Sequence, residues 1–327
     1  MIDKIHPGLS LLLMQISGQN SNVEMRKALD RLVPPSGRVS TKGKVLKGAR
    51  KVNVDPLLTQ EGEGNTRSVT RPSGAKYYIR KWGEHDDIEV LRKARDNDQF
   101  VLLYGAPGCG KTALVEAAFQ SALHTVMGSG DIEVADLIGG YVQTQSGGFV
   151  WEDGPLLKAA EQGVPLLLDE IGLIDPKVLS IVYGLMDGRR EYTVTANPER
   201  GTVYAQEGFY VIAATNPNAP GVRLSEALLS RFSIHVEMTT DWDLARILGV
   251  PANIVVTAQN LSKKQMIGET SWAPQMRELL AFRDIALTFG TPFAIQNLLA
   301  AAPEQDRPTV RDVVSRVTGT SYAPAKI

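Results

Sequence analysis

The sequence predicts an α/β chain, an αβα sandwich built on a parallel sheet and followed by a small α-helical domain. Three observations carry that expectation. Residues 100–104, 164–168 and 209–215 are short apolar runs with the length and composition of strands buried on both faces. Each run ends in a chemically marked place: a glycine-rich loop after the first, two carboxylates after the second, Asn216 after the third. After Asp241 the pattern changes to helices.

Composition supports a folded chain and narrows its class. The 327 residues are 43% hydrophobic and 22% charged, enough apolar surface for one large domain or two modest ones and too much for wholesale disorder. A single Cys excludes a disulfide framework and a cysteine-rich zinc site. No apolar run approaches the ~20 residues that span a bilayer, so no membrane contact is expected and the expected location is cytoplasmic. The apolar stretch 9–14 is too short for a targeting segment, has no small-residue cleavage site after it, and reads as mature sequence.

Charge divides the chain unevenly. Residues 1–81 hold 15 Lys and Arg against 6 Asp and Glu, whereas the remainder holds 20 against 30. The expected organisation is a basic N-terminal extension over 1–70, the αβα core over 71–240 and the helical lid over 241–327. The richest basic stretch, 38–51, contains Arg38, Lys42, Lys44, Lys47, Arg50 and Lys51. No aromatic residue interrupts it to stack on bases, so a solvated linker is favoured over a grip on nucleic-acid phosphates. Residues 60–68 are polar and glycine-containing and read as linker.

Within the core, Tyr77 to Arg80 suits a short strand and 86–95 a helix carrying Ile88, Leu91 and Arg92. The first buried strand then runs into Gly105-Ala106-Pro107-Gly108-Cys109-Gly110-Lys111-Thr112, with a helix from Ala113. Strand, G-x-x-x-x-G-K-T and helix in that order form the P-loop arrangement, which cradles a nucleoside triphosphate. Glycines let backbone N–H groups turn inward around phosphate oxygens, and the helix N-terminus adds favourable partial charge. Gly105, Pro107, Gly108, Cys109, Gly110, Lys111, Thr112 and Ala113 are therefore the expected cofactor-binding residues, with a nucleoside triphosphate as the ligand, which the resemblance given below implies to be ATP. Lys111 reaches the β and γ phosphates, and the Thr112 hydroxyl sits on Mg²⁺. Cys109 occupies a variable loop position where a redox switch is conceivable.

The second strand ends in Asp169 and Glu170, at the strand end where α/β sheets place ligands. Asp169 is expected to hold Mg²⁺ through water and Glu170 to polarise the attacking water. Asn216, in an Asn-Pro pair, orients that water, contacts the γ-phosphate or forms a turn. His6, His85, His124 and His235 lack ligand spacing, so no further metal is expected. Asp175 caps a helix opened by Pro176, with Val178, Val182 and Leu185 inward. Arg189 and Arg190 follow it, suited either to the helix dipole or to a neighbour's nucleotide. Beyond Asp241, Pro274 opens one helix, with Met276, Leu279 and Leu280 apolar, and Thr309 caps another, with Val310, Val313, Val314 and Val317 on one face.

A guanine-reading N-K-x-D is absent, and Ser146-Gly147-Gly148 lacks the rest of a transporter signature. Residues 224–232, Leu-Ser-Glu-Ala-Leu-Leu-Ser-Arg-Phe, resemble the arginine-finger segment of AAA+ ATPases. With Asp136-Leu-Ile-Gly-Gly-Tyr-Val, Trp151-Glu-Asp-Gly-Pro-Leu-Leu, Leu168-Asp-Glu-Ile and Asp187-Gly-Arg-Arg-Glu, the chain over 72–320 resembles the MoxR-type AAA+ ATPases of the dynein-related group, the circle of CbbQ-, NorQ- and CobS-like proteins. The resemblance implies a homo-oligomeric, hexameric ring in which Arg231 acts across the subunit boundary; the alternative for Arg231 is a pair with Glu226. It implies an insertion at a helix over 136–153 and a hairpin over 191–207. It implies a lid sensor, for which Arg277 is preferred to Arg283. It also implies a protein client and a partner carrying a von Willebrand factor A domain. A nucleic-acid motor and an ATP-binding scaffold without turnover are the rival functions.

Overall fold

The computed structural model describes residues 60–61 and 67–324; the basic stretch 38–51 and the apolar stretch 9–14 lie outside the described residues. The described residues form two compact units, and the chain passes from one to the other between Thr239 and Thr240.

The first unit begins with a small antiparallel sheet of β1 (Gln60–Glu61), β2 (Arg67–Thr70) and β3 (Lys76–Tyr78). This corrects one expectation: part of 60–68 is strand rather than linker. β2 and β3 pair from Ser68 with Tyr78 to Thr70 with Lys76. β2 hides in the sequence because Val69 is its only buried apolar side chain, too little for an alternation to show. A short hairpin of β4 (Lys81–Trp82) and β5 (His85–Asp86) leads into α1 (Asp87–Asp96), which buries Ile88, Leu91 and Ala94.

The chain then alternates strands and helices: β6 (Val101–Tyr104), α2 (Lys111–Phe119), β7 (His124–Met127) and α3 (Val134–Ile138). A hairpin of β8 (Gly139–Gln143) and β9 (Phe149–Asp153) follows, then α4 (Pro155–Gln162), β10 (Pro165–Asp169) and α5 (Pro176–Met186). A second hairpin, β11 (Glu191–Thr193) with β12 (Thr202–Tyr204), precedes β13 (Tyr210–Thr215), α6 (Glu226–Leu229) and β14 (Ile234–Glu237).

β14, β6, β13, β10 and β7 form one parallel sheet in that order. Every residue of β6, β10 and β13 is buried, as expected of central strands covered on both faces. These are the three strands the sequence announces. The edge strands β7 and β14 read His-Thr-Val-Met and Ile-His-Val-Glu, with only Val126 buried among them, so their apolar signal is weak. Because the strands are parallel, their carboxyl ends share one edge. β13 lies between β6 and β10, so Asn216 follows a strand flanked by the one that feeds the glycine loop and the one that ends at Asp169.

The second unit is a helical cluster of α7 (Trp242–Ile247), α8 (Ala252–Met266), α9 (Met276–Phe289), α10 (Thr291–Ala301) and α11 (Arg307–Thr318). Ile254, Leu261, Phe282, Leu298, Val310 and Val314 meet in its core. Two helix starts differ from expectation. α9 is opened by Gln275 rather than Pro274: the Gln275 and Glu278 side chains form a reciprocal capping box, which satisfies two otherwise orphan N–H groups. α11 begins at Arg307, so Thr309 lies inside its first turn and not at its cap. Asp175, in contrast, accepts from the Lys177 N–H and caps α5 as the sequence suggests.

Candidate active site

The loop after β6 delivers its residues to the start of α2. Gly110 is the N-cap, at φ 99°, a conformation costly for any residue with a Cβ. No side chain caps the helix at Gly110, so its first turn carries N–H groups that can meet an anion. The Lys111 ammonium, itself buried, donates to the carbonyls of Gly105 at 2.8 Å and Ala106 at 3.1 Å. The loop thus has a cation folded back across it. Gly108 stands at φ 80°, and Cys109 is 2% exposed. Burial pushes the Cys109 thiol up, against the pull of Lys111 and Arg80.

A cluster that the sequence does not announce supports this loop from outside. The Arg80 guanidinium donates to the carbonyls of Cys109 and Thr239, each at 3.3 Å, and to the Tyr77 hydroxyl at 3.1–3.2 Å. Asp87 completes the cluster by accepting from the Tyr77 hydroxyl and the Arg80 N–H. Burial raises Asp87 above the ordinary carboxylate range, while Tyr77 and Asp87 outweigh burial and hold Arg80 above its usual value. A trans peptide points its C=O and N–H in opposite directions. Holding the Cys109 carbonyl on Arg80 therefore turns the Gly110 N–H away from Arg80.

The carboxylates stand at the end of β10. Asp169 is buried; its Oδ2 accepts from the Thr112 hydroxyl at 2.6 Å and its Oδ1 from the Glu170 N–H at 3.0 Å. Glu170 is half-buried, has φ 49°, and its carboxylate has no hydrogen-bond partner among the described residues. A left-handed non-glycine residue costs about 1–3 kcal/mol and persists only where the surroundings enforce it. Gly128, just past β7, supplies part of that enforcement. Its N–H donates to the Asp169 carbonyl at 2.7 Å, and a Cβ at 128 would lie 2.4 Å from the Glu170 carbonyl oxygen. The Thr112 and Asp169 oxygens lie side by side, and a hard divalent cation that keeps most of its water needs few protein ligands, so this donor set fits Mg²⁺. Among the described residues no group of three or more His, Cys, Asp or Glu side chains is placed to hold another metal.

Asn216 forms the turn its sequence suggests: its Oδ1 accepts from the Asn218 N–H at 3.2 Å and its carbonyl from Ala219 at 3.1 Å. Arg231 follows α6 and does not pair with Glu226. It makes a two-pronged contact with Asp187, at 3.0 and 3.3 Å, and stacks over the Tyr183 ring. Arg190 is held within the chain by Asp98 at 2.8 Å and the Phe209 carbonyl at 3.2 Å, whereas Arg189 is exposed. In the second unit, Arg277 is exposed in the first turn of α9, and Arg283 donates to the Leu248 carbonyl at 2.8 Å. The structure thus brings Thr112 against Asp169, with Lys111 and Glu170 as their neighbours in the chain. Arg80, Gly128 and Asp187 complete the picture, and of these only Asp187 lies in a motif the sequence singles out.

The two inserted hairpins are joined. Arg200, in the loop between β11 and β12, donates from Nε and Nη2 to Asp153 at 2.7–3.0 Å and also pairs with Glu161 of α4. Trp151 donates to the same Asp153 at 2.7 Å. The Arg200 contact holds Asp153 below the usual carboxylate range. At the hairpin surface, Tyr141, Phe149 and Val150 are exposed, and Tyr141 meets Trp151 edge-on with ring centres 5.4 Å apart.

Comparison with known proteins places residues 100–232 within the AAA domain, dynein-related subfamily. NorQ of Paracoccus denitrificans is 37% identical over 135 residues, 40% of this chain and 49% of NorQ. An uncharacterized protein of Staphylococcus epidermidis is 31% identical over 242 residues, 68% of this chain and 90% of that protein. An uncharacterized protein of Staphylococcus aureus strain USA300 is 38% identical over 167 residues, 47% of this chain and 62% of that one. The match thus spans about half of NorQ but nearly the whole of the S. epidermidis protein.

Proposed function

This chain belongs to the AAA ATPases of the dynein-related subfamily, and from that membership we propose that it works as a Mg²⁺-dependent ring, of six subunits, that remodels or activates a protein client. The observation that carries the reading is the convergence at one sheet edge of the Lys111 loop, the Thr112–Asp169 contact and the unpartnered carboxylate of Glu170. ATP binds by its phosphates to the N–H groups of the loop and the start of α2. Lys111 exchanges its loop carbonyls for phosphate oxygens, a stronger, charge-assisted contact. Thr112 and Asp169 would hold Mg²⁺, which supplies charge neutralisation at the phosphates. Glu170 accepts a proton from the attacking water, and Asn216 orients that water. Arg231 neutralises developing charge in the neighbouring subunit's site.

The likeness to NorQ and the MoxR-type motifs support a client-activating role, with a von Willebrand factor A domain protein as the partner class. Among the described residues no helix is long and apolar enough to cross a membrane, and a cytoplasmic location is part of the same proposal. Glu170→Gln tests the chemistry and finds the client together. The variant is expected to bind ATP, hold the assembled ring and retain its client in affinity purification, with turnover reduced about 10²- to 10⁴-fold. Normal phosphate release from Glu170→Gln would show that another group is the base.

A further inference from the structure

We propose that Asp187 and Tyr183 form a cradle that presents Arg231 end-on to the adjoining subunit's nucleotide, which makes both of them positioning residues for hydrolysis. The inference rests on the reading of Arg231 as the residue that acts across the boundary, and it names what aims that residue. A guanidinium carries five N–H groups in a rigid plane. In Arg231 the Nε and Nη2 groups are engaged side-on by the two oxygens of Asp187, and Nη1 donates to the Ala227 carbonyl. One face lies over the Tyr183 ring, 4.1 Å from its centre. Three donors are spent, so one N–H remains on each Nη nitrogen. Asp187 occupies the side-on edge, which leaves the outer edge available, the edge that matches two oxygens of a phosphate. The Arg231 side chain is 24% exposed, enough to reach outward yet fixed in orientation.

The cradle also gives Asp187 of the Asp187-Gly-Arg-Arg motif a role. Asp187 is the C-cap residue of α5, so its position is set by the end of that helix, and Tyr183 lies one turn earlier on the same side. The Tyr183 hydroxyl is 3.3 Å from the hydroxyl of Ser225, whose oxygen caps α6 by accepting from Leu228. Helix α5 and the segment bearing Arg231 are thereby joined at two places. A partly exposed ion pair by itself adds little to fold stability, so the contact matters through direction more than through strength.

Steady-state ATP hydrolysis by the full chain tests this with Arg231→Ala, Asp187→Asn, Tyr183→Leu and Tyr183→Phe, alongside ATP binding and sedimentation. Arg231→Ala is expected to lose turnover while still binding ATP. Asp187→Asn is expected to lower kcat about 10- to 100-fold, the cost of a misplaced catalytic group, with KM and ring size unchanged. Tyr183→Leu is expected to lower kcat, and Tyr183→Phe, which keeps the ring, to restore most of that loss. In the Arg231→Ala background Asp187→Asn should add no further loss, because both changes act through one guanidinium. Wild-type turnover by Arg231→Ala would overturn the trans reading and the cradle with it. An inactive Arg231→Ala beside a fully active Asp187→Asn and Tyr183→Leu would overturn the cradle alone. A faster Asp187→Asn would make Asp187 a restraint, which also overturns it. Should Asp187→Asn fail to fold, the Leu and Phe pair at 183 decides the matter by the same readings.

Discussion

Asp169 and Glu170, at the end of β10, and Arg231, past α6, are fixed by different parts of the chain. The acids are set by backbone: a buried strand ends at Asp169, Glu170 is turned left-handed, and Gly128 packs against their carbonyls with no room for a Cβ. The Arg231 guanidinium is set mostly by side chains, Asp187 at its edge and Tyr183 beneath its face, with the Ala227 carbonyl as its one main-chain partner among the described residues. A group placed by main chain moves only when the surrounding fold moves. A group placed by neighbouring side chains is displaced by a single substitution that the fold tolerates. The contrast suits the division proposed above, in which the acids act within their own subunit and Arg231 meets a neighbour.

The largest effect that sharpens this contrast comes from mixing. Arg231→Ala and Glu170→Gln chains should each be inactive alone, with loss on the order of 10³-fold for the arginine. Mixed rings should regain phosphate release, since intact acids in one subunit then meet an intact arginine from the next. If no mixing ratio restores activity, Arg231 does not act across the boundary. Next in size is Gly128→Ala, which strikes the backbone-held side. A forced Cβ is expected to lower unfolding stability by about 1–3 kcal/mol and turnover with it, read by denaturant melts and kcat. Tyr183→Leu, on the side-chain-held side, should lower turnover while leaving stability nearly unchanged; equal stability losses in both would erase the distinction. The smallest effect is at Cys109. Its thiol is raised by burial, so less thiolate exists at a given pH than for an ordinary cysteine. Alkylation of the folded chain at pH 7–8 should be slower than that of the denatured chain, and equal rates would mean the loop opens freely.

Much of the site was legible because its parts are local in sequence. Gly105 to Thr112 is a continuous stretch of chain, and Asp169 and Glu170 close a continuous apolar run, so spacing and hydrophobicity alone point to them. The central strands announced themselves through unbroken burial, whereas edge strands β7 and β14 did not, since an edge buries too few side chains to leave a pattern. Gln275 was overlooked as a cap because its partner, Glu278, is ambiguous until the helix start is known. Arg80, Gly128 and the Asp187–Arg231 contact are products of tertiary structure: Arg80 meets Cys109 and Thr239 across long stretches of chain, and no local rule foretells such meetings. The pairing of Arg231 with Asp187 instead of Glu226 follows the same logic, for proximity in sequence did not secure proximity of the charged groups.

The brace at Arg200 ties the two hairpins to each other and to α4. A pull on the exposed aromatic tip at Phe149 passes down β9 to Asp153, crosses through one guanidinium to the neighbouring hairpin, and is shared with Glu161 on α4. That helix runs directly into the strand whose last residue is Asp169. Removing the Arg200 guanidinium would therefore part the two hairpins from each other and from α4.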